Sequence, residues 1–153
     1  MAGNIGMLNA VINAVKEVAK CEVIPRYLKV QRKYKPDGSL YTDADVATQD
    51  ALLQRLERIY PGKVVSEEMS LKHQQDQWHS GSEGLWCIDP IDGTTNFVNG
   101  IPYFAISVAF MRRGRSILGV IYDPIADEVF YAERGKGAFL NDVRLPIKEY
   151  IPT

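Results

Sequence analysis

Cysteine, long apolar runs and an excess of either charge are all scarce in this chain, and each scarcity removes a class of function. Only two cysteines are present, Cys21 and Cys87. Two thiols so far apart make neither a disulfide framework nor a thiolate metal site, and they fit a reducing, cytoplasmic setting. No apolar stretch approaches the roughly 20 residues that a membrane-spanning helix needs, so no membrane partner is expected. The segment from Met1 to Val11 lacks the basic, apolar and small-residue succession of a secretory leader. With 18 Lys and Arg against 19 Asp and Glu, the net charge is -1. Such a molecule has no overall field to gather nucleic acid. Low-complexity tracts and internal repeats are missing too.

What remains is a composition close to the globular average, 46% hydrophobic and 24% charged over 153 residues. A chain of this length is one domain and buries about two thirds of its unfolded surface. Leu8, Val11, Ile12, Val15, Val18 and Ala19 recur at spacings of three and four, which predicts a helix from Met7 to about Lys20, ended or kinked by Pro25. Residues 31–41 are basic and turn-rich around Asp37-Gly38-Ser39. Thr42 with Asp45 reads as an N-cap with an acidic first turn, opening a second helix whose apolar face is Val46, Leu52, Leu53, Leu56 and Ile59; Pro61-Gly62 stops it.

From Lys63 onward the period changes. Val64-Val65 and Leu85 to Ile88 read as strands, separated by a polar loop from Met69 to Gly84. Tyr103 to Phe110, Ile117 to Tyr122 and Val129 to Ala132 are further strands divided by short turns. Short connections favour antiparallel neighbours, so the expected class is α+β, two helices packed on a largely antiparallel sheet.

The segment Trp86-Cys87-Ile88-Asp89-Pro90-Ile91-Asp92-Gly93-Thr94-Thr95-Asn96-Phe97 carries the most chemistry. An apolar strand runs into two carboxylates and then a glycine-hydroxyl cluster. Pro90 sets its own φ and Gly93 frees a turn, so Asp89, the Ile91 carbonyl and Asp92 could converge on one hard cation, Mg²⁺ or Mn²⁺. Gly93, Thr94 and Thr95 offer amides and hydroxyls to an anion next door. The alternative is that Asp-Pro and Asp-Gly are plain turn formers. Glu67-Glu68 ends the strand before it and can supply a third carboxylate; alone, such a pair is more often a solvated edge. His73 and His79, six apart in a polar stretch, read as surface residues, so Zn²⁺ is not expected. Arg112, Arg113 and Arg115 read as a solvated turn.

The run Asp37-Gly38-Ser39-Leu40-Tyr41-Thr42-Asp43-Ala44-Asp45, then Glu67-Glu68, then Asp89 to Phe97, with Gly135-Lys136-Gly137-Ala138-Phe139 behind them, resembles the inositol monophosphatase family. That superfamily also holds fructose-1,6-bisphosphatases and phosphoadenosine phosphatases. The resemblance implies the amino-terminal half of a layered sugar-phosphatase fold and Mg²⁺-dependent, lithium-sensitive hydrolysis of a small phosphate monoester by a cytoplasmic homodimer. It implies that Glu67 binds the first metal, Asp89 bridges two, Asp92 serves the second, and the Ile91 carbonyl is the backbone-oxygen ligand. Asp45 would hold the Thr94 hydroxyl, and these two with Glu67 would activate water. Gly93, Thr94 and Thr95 would hold the phosphate. The chain departs from the family at Ser66, where glycine is common, and at Thr153, where relatives continue into a second domain with another metal-binding Asp. Weak activity, self-association through an exposed apolar face, a non-catalytic interaction role and phosphoadenosine phosphatase activity are the competing expectations.

Overall fold

The computed structural model describes residues 6–146. Helix α1 (Met7–Val18) follows the predicted stripe, with Val11, Val15 and Val18 fully buried, and runs on through a wider π-type turn over Ala19–Val23 to a 3-10 turn at Ile24–Arg26 that contains Pro25. A two-stranded antiparallel hairpin, β1 (Lys33–Tyr34) and β2 (Leu40–Tyr41), then precedes α2 (Asp43–Ile59). The sequence reading has only a turn-rich segment here, because strands of two residues are too short to show alternation.

Helix α2 buries Ala44, Thr48, Leu52 and Leu56, one residue per turn, while Val46 is 44% exposed. Val46 is therefore not on the apolar face: at about 100° per residue it lies roughly 200° around from Ala44. Leu53 and Ile59 pack at the margin of the core.

The main sheet has the order β3-β4-β5-β6-β7-β8-β9, made of Lys63–Ser66, Leu85–Asp92, Ala105–Arg112, Arg115–Asp123, Glu128–Glu133, Gly137–Leu140 and Val143–Arg144. β3 and β4 pair parallel and every later pair is antiparallel. One face carries Trp86, Ile88, Ile106, Val108, Phe110, Leu118, Val120 and Val129, all buried within one core with α1 and α2. Phe110 anchors it, 4.7 Å from the Trp86 ring and 5.0 Å from that of Tyr60. The other face leaves Ile121 47% and Phe130 37% exposed. Among the described residues no helix is long and apolar enough to cross a membrane.

The parallel β3–β4 step requires a crossover, and Leu71–Ser80 supplies it as a helix, α3, where the sequence predicts a loop. α3 buries no residue and has no apolar stripe to reveal it. It is held by polar bonds to edge strand β3: Gln77 accepts from the Val64 amide (3.2 Å), and Gln74 donates to the Ser66 carbonyl (2.8 Å). Those backbone groups point away from β4 and would otherwise be a bare sheet edge. The crossover returns past Gly84, where a Cβ would stand 2.2 Å from the Tyr60 ring. Residues 147–153, expected to follow the last strand, lie outside the described residues.

Candidate active site

β4 does not end at Ile88 as predicted but continues to Asp92, with an irregular register between Asp89 and Asp92 where Pro90 interrupts the pairing with β5. Pro90 has no N–H to give to a ladder, which accounts for the break. Gly93 follows at φ 93°, a left-handed turn that glycine takes without strain, and a Cβ there would meet the Tyr103 carbonyl oxygen at 3.2 Å. The chain then enters α4 (Thr94–Val98), a helix of five residues with Phe97 buried beneath it.

The β3–β4 register pairs residues 22 apart, Lys63 with Leu85 through Ser66 with Ile88. One further rung places Glu67 opposite Asp89, and the Glu67 amide donates to the Ile88 carbonyl at 3.4 Å as that rung requires. Side chains opposite each other on neighbouring strands point to the same side. Glu67 and Asp89 thus lie within hydrogen-bonding reach, and burial, the bond to Glu67, and the charges of Glu67, Asp92 and Glu68 push the Asp89 carboxyl up to about 8. Asp89 Oδ1 is buried without a hydrogen-bond partner. No three acidic, His or Cys side chains among the described residues form a ready-made metal cage. The pair Glu67 and Asp89 converges, whereas Asp92 is exposed at the end of the strand.

Asp45 approaches from α2. It is the third residue of a capping box: its Oδ2 accepts from the Thr42 amide (2.6 Å) and hydroxyl (2.8 Å), while Oδ1 accepts from the Thr94 hydroxyl at 3.1 Å. Burial raises the Asp45 pKa, against those bonds. The Thr94 oxygen also lies 3.0 Å from the Ile91 carbonyl, so its one proton has two acceptors. The carboxylate is the stronger of them. Thr95 is exposed on the first turn of α4. His73 and His79 lie on α3, outside this group.

Lys35 follows β1 of the hairpin, and the sequence gives it no role at the site. Its Nζ is 3.1 Å from the Glu68 carboxylate and 3.5 Å from the Glu67 carbonyl. Burial pulls its pKa down, but the bond to Glu68 and the charges of Glu68, Glu67 and Asp45 outweigh that and leave it raised. Glu68 itself is raised by burial, against Lys35. Lys35 sits in a basic segment where only its long-range approach to Glu68 distinguishes it from its neighbours.

The model of the inositol monophosphatase family matches residues 4–151. The chain belongs to this family. Among curated relatives, an inositol-1-monophosphatase of Mesorhizobium japonicum is 40% identical over 77% of this chain and 43% of its own length. The Nus factor SuhB of Pasteurella multocida is 37% identical over 93% of this chain and 52% of its own. Of solved structures, the Thermotoga maritima inositol monophosphatase superposes with a TM-score of 0.77 at 32% identity, over 90% of this chain and 52% of that one. An inositol monophosphatase/NADP phosphatase complexed with Mg²⁺ and phosphate superposes at 0.70 with 29% identity, over 84% of this chain and 48% of that one. The chain spans about half the length of the relatives it matches. The family membership and the inositol monophosphatase fold agree with the α+β reading.

Proposed function

We propose that this chain carries the metal and phosphate site of a Mg²⁺-dependent phosphomonoesterase acting on a small polyol or sugar phosphate such as an inositol monophosphate. The observation that carries the reading is Glu67 beside Asp89, with Asp89 Oδ1 buried and unpartnered and its carboxyl raised to about 8. Two carboxylates so placed share a proton or a cation. The oxygen-only donor set fits Mg²⁺, with Mn²⁺ second, and Glu67, Asp89, Asp92 and the Ile91 carbonyl would hold it. When bound, the ion lowers the pKa of water and offsets charge on the phosphoryl oxygens.

The remaining work belongs to the protein. Asp45 takes the hydrogen of Thr94, which leaves Thr94 Oγ1 to accept a hydrogen bond from the attacking water and releases the Ile91 carbonyl. A proton drawn from that water toward Thr94 passes to Asp45, which burial makes more basic than an exposed aspartate. Gly93, Thr94 and Thr95 would offer amides and hydroxyls to the phosphate. Competition by lithium, a homodimer and a cytoplasmic location are part of the same proposal.

The test is phosphate release from inositol 1-phosphate by the polypeptide as its gene encodes it. Release should require Mg²⁺ and vanish in Asp89→Ala; equal release in EDTA would overturn the reading. A second reading, a regulatory interaction protein, is favoured by the relatives named Nus factor SuhB. If Asp89→Ala abolished hydrolysis but restored function in cells lacking the gene, the second reading would stand.

A further inference from the structure

Ser66 is one of four buried polar residues among the described residues, with no exposed surface, and stands at the last position of β3. It pairs with Ile88, so its side chain lies on the helix-covered face of the sheet, where its hydroxyl donates to Gln49 Oε1 on α2. The same oxygen accepts from the Glu68 amide at 3.3 Å. Its carbonyl accepts from the Met69 amide at 3.1 Å and from Gln74 Nε2 at 2.8 Å. Residues 66–69 therefore form a β-turn with Glu67 and Glu68 at the two corner positions, and every polar atom of Ser66 beyond its own amide is spent on that turn.

A corner residue's side chain points wherever the turn's two central peptides aim it. Gln49 fixes the hydroxyl from beneath, the hydroxyl fixes the Glu68 amide, and the peptide between the two glutamates loses its freedom to rotate. Lys35 holds the Glu68 carboxylate at 3.1 Å. We infer that Ser66, anchored by Gln49, is a positioning residue that aims the Glu67 carboxylate at Asp89 for cation binding. This rests on the cation-site reading of Glu67 and Asp89.

The experiment measures Mn²⁺ affinity by titration calorimetry for the wild-type chain, Asp89→Ala, Ser66→Ala, Gln49→Leu and Gln77→Leu, together with amide hydrogen exchange over residues 67–69 in EDTA. Removing an outer partner of a metal ligand typically weakens binding about 10- to 100-fold, and that loss is expected for Ser66→Ala and Gln49→Leu. Exchange at the Glu68 amide should quicken in both variants with no cation present. Gln77→Leu also removes a side-chain bond to β3, from the Val64 amide, but does not touch the turn; it should lose stability and keep its affinity. Wild-type affinity and unchanged exchange in Ser66→Ala would overturn the inference, as would an equal loss in Gln77→Leu. If the wild type and Asp89→Ala bound Mn²⁺ equally, the cation-site reading itself would fall and the inference with it.

Discussion

Replacing Asp89 with asparagine should make the metal-free protein more stable at pH 8 and leave it nearly unchanged at pH 5. The Asp89 carboxyl rises from an ordinary 3.8 to about 8 because it is buried against Glu67 and feels Asp92 and Glu68. The folded state therefore keeps a proton there that the unfolded state has released, and stability declines as pH rises between those two values. At 1.36 kcal/mol per unit the full shift would be several kcal/mol. The carboxyl is partly exposed, and screening by water lowers the expectation to about 1–2 kcal/mol. For a domain of this size that corresponds to a Tm difference of roughly 2–8 °C. Asparagine keeps the shape and can donate its amide to Glu67, so no cavity confuses the comparison. Thermal unfolding of both proteins in EDTA at pH 5, 6.5 and 8 reads the effect. With millimolar Mg²⁺ the order should reverse, since only the wild type gains stability by binding. Parallel pH curves, or a less stable variant at pH 8 in EDTA, would refute the reasoning.

Thr94→Ala should lower the hydrolysis rate of the gene's full product by about 10² to 10⁴ while leaving cation affinity in place; a change of only a few-fold in kcat would remove Thr94 from the chemistry. Phe110→Ala empties the centre of the Trp86 and Tyr60 aromatic cluster and should cost about 3–5 kcal/mol by urea unfolding. Gly84→Ala drives a methyl into the Tyr60 ring and should cost about 1–3 kcal/mol in the same assay.

The parts of this fold that announce themselves in the sequence are those with a periodic apolar face. Val11, Val15 and Val18 mark α1, and the β-branched and aromatic runs Tyr103 to Phe110 and Ile117 to Tyr122 mark the central strands, which the structure places at Ala105–Arg112 and Arg115–Asp123. α3 is silent because its attachment is made by Gln74 and Gln77, which look like any solvated pair until a strand edge lies beside them. β8 and β9, four and two residues long, offer too little alternation to see. At the site, the chain order of Glu67, Asp89 and Asp92 is plain. Their meeting is not, because it depends on the parallel register of β3 and β4, which local sequence does not encode. Thr42 and Asp45 read correctly as a helix start, yet the second use of Asp45, holding Thr94 from 49 residues away, needs the packing of α2 on the end of β4. Ser66 reads as a mild departure until Gln49 is placed beneath it.

Glu67 and Asp89 are proposed to face one another and share a divalent cation. Titration of the purified chain with Mn²⁺, followed by electron paramagnetic resonance of the free ion, tests it without any dependence on turnover. Saturable binding by the wild type at neutral pH, competed by Mg²⁺ and lost in Asp89→Ala, is the predicted result; Mn²⁺ bound with equal strength by Asp89→Ala would contradict it.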